Sequence, residues 1–188
     1  MIRIRPADLA RLAAWAEAAY PQEACALLLG RRRPGAVTDL TRVEQSRNLA
    51  DRPERAFEID PGLRMGLERE LRQAERAPGE GVSGEGVSGE GEGEELVGLW
   101  HSHPDGPALP SERDRLAVQE DLLWLLTAVA DGRAVQTCAF RPVPAVFGAS
   151  GGGMEWRLGG RSGGWRAGGF LPEDLVLAER DLQTEEKA

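Results

Sequence analysis

Residues 100–114 read Trp100-His101-Ser102-His103-Pro104-Asp105-Gly106-Pro107-Ala108-Leu109-Pro110-Ser111-Glu112-Arg113-Asp114 and hold both histidines of a 188-residue chain. The run Leu96–His101 predicts a strand, and a spacing of two along a strand places both imidazoles on one face. A Pro/Gly-rich loop follows. Ser111 is a favourable N-cap for a helix predicted over Ser111–Glu120, whose first turn carries Asp114. The pattern is His-x-His-x7-Ser-x2-Asp, with Pro104 the first of the seven. Two imidazoles and one carboxylate are the ligand set of a catalytic zinc, which keeps its fourth tetrahedral position for water. A His-x-His pair alone is common on surface strands, and Ser111 with Asp114 alone is an ordinary capping arrangement. The full pattern arises by accident in on the order of one in 10⁵ chains of average composition. The metal reading therefore prevails over both.

Outward from this stretch, helices and strands are mixed. Pro6 through Ala19 predicts a helix, with Pro early, Asp8 in the first turn, Leu9, Leu12, Ala13 and Ala16 on one face, and Pro21 as its stop. Ala24–Leu29 is a short apolar run ended by Gly30 and predicts a buried strand, with Ala36–Val43 as its hairpin partner. Pro61–Ala77 returns to helical spacing through Leu63, Leu67, Leu71 and Ala74. Leu122–Ala130 and Val135–Phe140 predict two strands joined at Asp131-Gly132. Strands apolar on both faces, interleaved with helices, predict an α/β fold in which helices cover a central sheet.

Length and composition fit one domain: 41% of residues are apolar and 29% charged. The longest apolar stretch, Leu122–Ala130 with Thr127 inside it, is about half a bilayer span, and Met1–Asp8 contains no apolar signal core. Cys25 and Cys138 cannot make a disulfide framework, so a cytoplasmic location and no membrane association are expected. The formal net charge of −8 is local, because residues 78–95 hold six glutamates and no cation. The absence of a broad basic surface argues against nucleic acid as a partner. The tract 78–95 repeats Glu-Gly-Val-Ser-Gly at Glu80 and Glu85 and is expected to be a flexible insert. Gly148–Gly169 holds ten glycines punctuated by Trp156, Leu158 and Trp165, which predicts a pinned loop or irregular hairpin. The charged tail Glu179–Ala188 is expected to fray. The domain is thus expected over residues 1–145, with residues 146–188 a Gly/Trp-rich extension packing on it or trailing from it.

The His-x-His-x7-Ser-x2-Asp pattern resembles the signature of the JAMM/MPN+ zinc metalloproteases, which carry an upstream glutamate. Glu23, in Pro21-Gln22-Glu23-Ala24-Cys25, stands where that glutamate is found, and Asn48 and Phe57-Glu58-Ile59-Asp60-Pro61 resemble the family's mid-domain segment. The resemblance covers roughly residues 5–142. It implies a mixed, curved central sheet flanked by helices, related in plan to the cytidine deaminases. It also implies that His101, His103 and Asp114 hold one Zn²⁺ per chain with a water. Glu23 would then be the general base and afterwards the acid, and Ser111 would donate to the oxyanion. In that role Ser111 is not expected to serve fully as the helix cap. Pro104 fixes the chain leaving the second ligand.

The activity implied is a peptidase or isopeptidase cutting after the C-terminal Gly-Gly of a ubiquitin-like or sulfur-carrier protein. An extended tail suits a groove beside an exposed strand edge. The enzyme is expected to be a monomer or homodimer. The alternative is a non-catalytic scaffold of the same fold, which would lack the metal ligands present here. A zinc nucleobase deaminase needs His-x-Glu and Pro-Cys-x-x-Cys, but Cys25 and Cys138 stand 113 residues apart and neither follows proline. A Ser-His-Asp hydrolase needs a nucleophile elbow that is missing. Among the remaining residues, Cys25 reads as a small buried hydrophobe, Trp100 as a core aromatic, Asp105 and Glu112 as solvated charges, and Arg31-Arg32-Arg33 as a solvated turn.

Overall fold

The computed structural model describes residues 1–76, 93–117, 121–143 and 169–178. In chain order the elements are β1 (Ile2–Ile4), α1 (Pro6–Ala19), β2 (Cys25–Arg33), β3 (Val37–Ser46), α2 (Pro61–Arg76), β4 (Glu95–Pro104), α3 (Glu112–Leu116), β5 (Leu123–Ala130), β6 (Arg133–Val143), β7 (Gly169–Glu173) and β8 (Leu175–Leu177). The eight strands form one mixed sheet in the order β7-β6-β5-β4-β2-β3-β1-β8. β4 and β5 are parallel, as is β1 with β3 and β8; the other neighbours are antiparallel.

Alternation along β2 divides the core. Ala26 and Leu28 face α1, packing with its Leu12 and Ala16, whereas Leu27 and Leu29 face α2 and its Leu67. Each side chain points opposite to its neighbour because the strand period is two, so a strand apolar on both faces needs a cover on both. Leu99, Trp124, Leu126 and Phe140 build a third cluster with Ala108 and Phe57.

Several predicted boundaries move, each for a physical reason. β2 does not end at Gly30: the pairing shifts there, and a Cβ at that position would lie 2.3 Å from the carbonyl oxygen of Asp39. The glycine marks an irregularity in a continuing strand. Arg31, Arg32 and Arg33 therefore belong to β2 rather than to a turn, with Arg33 paired to Asp39. The turn itself comes later, at Gly35 and Ala36, both at positive φ. β4 runs on through both histidines to Pro104. α3 is only one turn and a half, closed at Ala117 by bonds to the carbonyls of Arg113 and Asp114; residues 118–120 lie outside the described residues.

The predicted insert and glycine-rich tract lie mostly outside the described residues, as does the tail from 179. Two of the six glutamates nevertheless belong to the body. Glu94 accepts a bond from Thr41 Oγ1 and pairs with Arg42 at 3.3 Å, and Glu95 opens β4. Three short strands were not predicted. β1 lies before α1, and its Ile2 and Ile4 are fully buried; β7 and β8 supply the two sheet edges. No helix among the described residues is long and apolar enough to cross a membrane.

Candidate metal centre

β4 brings His101 and His103 to the sheet face that carries Leu99, and the β4–α3–β5 crossover returns Asp114 over them. All three are buried. His101 Nε2 lies 2.9 Å from His103 Nε2 and 3.2 Å from Asp114 Oδ1, and His103 Nε2 lies 3.4 Å from Asp114 Oδ2. A tetrahedral ion with bonds of about 2.0–2.2 Å has edges of about 3.3–3.6 Å. The N–N distance and the two N–O distances, which reach different oxygens of Asp114, lie within a few tenths of an ångström of that, and the donor set (two imidazoles and a carboxylate) suits a borderline divalent cation. The residues fit a metal ion.

The local structure fixes each donor. His103 Nδ1 lies 2.8 Å from the carbonyl oxygen of Pro107, which places a proton on Nδ1 and leaves Nε2 to face the other ligands. Asp114 is held by a reciprocal capping box. Its Oδ2 accepts the N–H of Ser111 at 2.6 Å, while Ser111 Oγ accepts the N–H of Asp114 at 3.1 Å. Burial pushes the Asp114 carboxyl upward, yet the hydrogen bonds from His101 and His103 outweigh it and hold it well below the usual carboxylate range. Burial lowers His101, which stays neutral. For His103 the Asp114 carboxylate and the Pro107 carbonyl outweigh burial and raise the ring above its ordinary value.

Glu23 precedes β2 and is buried, with 9% of its surface exposed. Its N–H donates to Pro53 O at 2.7 Å, and its carbonyl accepts Asn48 Nδ2 at 2.9 Å. Ser102, between the two histidines, accepts the N–H of Ala24 at 2.9 Å through Oγ and donates its own N–H to Ala24 O. Glu23 is thus tied to β4 next to the ligands. Burial, and then the Asp114 charge, push its carboxyl up to about 7, against His103 and Arg113, which pull it down. A carboxyl that gains and loses its proton near neutrality suits proton transfer.

Ser111 is exposed on the same turn. It does cap α3, contrary to expectation, and the two roles are compatible: the cap uses an oxygen lone pair and leaves the hydroxyl proton to donate. No strand edge is free beside His101 and Ser102, because β5 pairs along Gly98–Pro104, β2 pairs through His101, and Ala24 bonds Ser102. Past Ser102 the pairing on the β2 side ends, while β5 continues along β4 to Pro104.

The other singled-out residues fall into supporting roles. Cys25 is fully buried and its thiol is pushed up to about 12 by burial, as befits a small hydrophobe. Trp100 is a core aromatic whose Nε1 donates to Thr127 Oγ1 at 2.8 Å. Asp105 is exposed but not merely solvated: it sits at φ +51° and accepts Tyr20 Oη at 3.0 Å and Asp131 N at 3.2 Å. Ser102 was not singled out from sequence, and nothing in its residue type marks it.

A mixed eight-stranded α/β domain with a buried His-His-Asp group, two members on a central strand and one on the helix that follows it, defines a JAB-type domain with a candidate metal centre. Residues 6–143 match the prokaryotic homologs of the JAB domain, and the chain belongs to that family. The solution structure of protein DSY2949 from Desulfitobacterium hafniense is 25% identical, covers 96% of this chain and 94% of its own, and superposes with a TM-score of 0.63. A second solution structure, of a protein from Salinibacter ruber, is 21% identical over 95% of this chain and 92% of its own, with a TM-score of 0.57, and shows the shared fold. No curated protein matches the chain.

Proposed function

We propose that this domain is a zinc-dependent hydrolase that cuts the peptide or isopeptide bond following a C-terminal Gly-Gly of a ubiquitin-like or sulfur-carrier protein. The observation that carries the reading is the convergence of three buried side chains, with ligand atoms 2.9–3.4 Å apart, next to the buried Glu23, whose neighbour Ala24 is bonded to the same strand. When bound, Zn²⁺ supplies Lewis acidity and lowers the pKa of a water from about 15.7 to about 7.

His101, His103 and Asp114 hold the ion, and the capping box keeps Asp114 from turning away. Glu23 accepts a proton from water on its carboxylate oxygen and later returns it to the leaving amine nitrogen. Ser111 donates its hydroxyl proton toward the developing oxyanion. The substrate tail lies against the loop segments 48–60 and 104–111, next to the end of β4. A Gly-Gly tail suits such a cleft because it presents no side chains beside the ligands.

The test is incubation with carrier proteins that bear C-terminal extensions, read by intact mass, together with metal analysis. About one zinc per chain and loss of the mass after Gly-Gly are expected. Glu23→Gln should keep the zinc and lose the cleavage. Cleavage by Glu23→Gln at the parent rate overturns the assignment of the base, and zinc binding with no cleavage of any carrier favours a binding scaffold.

A further inference from the structure

His101 and His103 are held in different ways. His103 is oriented by the bond from Nδ1 to Pro107, the arrangement a metal-bound imidazole ordinarily has. His101 is fully buried, and its Nδ1 has no hydrogen-bond partner among the described residues. The imidazole is therefore fixed by hydrogen bonding at Nε2 alone, to Asp114 Oδ1 at 3.2 Å, and a tilt about Cβ–Cγ out of its plane would carry Nε2 away from the other two ligands.

Two aromatic rings pack against the His101 ring. Phe57 lies parallel to the His101 ring, with centroids 4.2 Å apart and planes 24° apart. Trp124 stands nearly perpendicular to it at 5.6 Å and 85°, and edges against Phe57 at 5.9 Å. Rotation of the imidazole out of its plane would drive a ring edge into the phenyl face, because parallel rings at this spacing are already in van der Waals contact. Phe57 itself is fixed through its neighbours. Asn48 Nδ2 donates to Ala56 O at 2.9 Å, and Asn48 Oδ1 accepts Glu58 N at 3.0 Å.

We propose that Phe57 is a positioning residue for the metal: its ring face holds the plane of His101 so that Nε2 stays aimed at His103 and Asp114, a restraint that an in-plane hydrogen bond at Nδ1 would otherwise supply. The inference rests on the metal reading above but concerns a residue outside the ligand set. It requires a flat ring and not only bulk. Leu at this position restores most of the volume without a face, whereas Tyr keeps the face.

The test is metal affinity of the full chain, measured by chelator competition with Zn²⁺, and the visible spectrum of the Co²⁺ form. Phe57→Leu should bind about 10–100-fold more weakly, the usual loss when an orienting partner is removed, with an altered Co²⁺ spectrum. Phe57→Tyr should stay near the parent in both. Thermal unfolding of the metal-free proteins separates loss of fold from loss of orientation. Parent-like affinity and spectrum in Phe57→Leu overturn the proposal, as does equal weakening in Phe57→Tyr when both variants are folded. A parent that binds no metal removes the metal reading itself, and this inference with it; a parent that binds metal but cleaves nothing leaves this inference standing.

Discussion

Ser111 and Asp114 hold each other: the serine Oγ accepts the aspartate N–H at 3.1 Å, and the aspartate Oδ2 accepts the serine N–H at 2.6 Å. The helix start, the third ligand and the hydroxyl offered to substrate are therefore one motif. A capping box normally serves only the helix. Here the carboxylate it fixes is also 3.2 Å from His101 Nε2, so the cap sets the ligand geometry as well.

Ser111→Ala separates these roles. The backbone N–H of residue 111 survives the substitution, so Asp114 keeps its partner and zinc should be retained. Loss of the cap should cost about 1 kcal/mol of stability in urea unfolding. Loss of the hydroxyl donor should lower kcat by about 10²–10³. A fall of less than about fivefold in kcat, with the stability loss present, would assign Ser111 to the helix alone.

Metal binding should weaken as pH falls, because His103 is raised above the ordinary imidazole value and Asp114 keeps its charge throughout. The proton on His103 competes with the ion for Nε2. The apparent Zn²⁺ affinity should drop by up to about tenfold per pH unit per displaced proton, starting above about pH 6.5. His103→Ala and Asp114→Ala should abolish stoichiometric binding at any pH. Isothermal titration in two buffers of different ionisation heat reads the proton release directly, and no release at pH 6 would contradict the raised His103.

Much of this centre was legible in the chain. His101, His103 and Asp114 could be read because metal coordination fixes residue type and spacing together, and strand alternation then predicts a shared face. Glu23 needed a resemblance, since one carboxylate among 31 acidic residues has no local mark. The parts that failed were those set by tertiary pairing. Gly30 reads as a stop in any local window; only the approach of Asp39 O to 2.3 Å of a would-be Cβ shows it is a bulge within β2. The three-residue strands β1 and β8 hold too few residues for a period, yet they pair with each other along Ile2–Ile4 and Leu175–Leu177. Phe57 is marked in the chain only as part of the mid-domain resemblance; its place on the His101 ring is set by tertiary packing.

Glu23 gives the metal-free protein a pH signature of its own. Its carboxyl stays protonated in the folded state up to about pH 7, whereas in the unfolded chain it ionises near pH 4.3. Between these values the unfolded state binds fewer protons, so stability falls as pH rises and levels off above about 7. The loss is on the order of 3 kcal/mol. Glu23→Gln lacks the titration. Urea unfolding of the chelator-treated proteins should show the variant gaining on the parent between about pH 5 and about pH 7.5. The histidines titrate in both proteins, so the comparison removes all but the part of the His103 shift that Glu23 causes. A pH-independent difference would mean that Glu23 is not held neutral.

The acidic tract is attached far from the ligands. The described chain leaves at Arg76 and resumes at Gly93, two residues before β4 begins, while His101 lies six residues further along that strand. At about 3.3 Å per residue this is about 20 Å, about two and a half times the screening length at physiological salt, which is about 8 Å. Charge on the tract can then act on the centre only if the tract itself crosses that distance. Deleting residues 79–91 removes Glu80, Glu85 and Glu90 and leaves Glu94 with Thr41 and Arg42. Cleavage and zinc affinity should stay within about twofold of the parent at both low and physiological ionic strength, because Glu94 keeps its fixed partners and β4 its start at Glu95. A deletion that speeds cleavage at low salt, with the gain fading as salt is added, would show that the tract reaches the site and repels or screens substrate there.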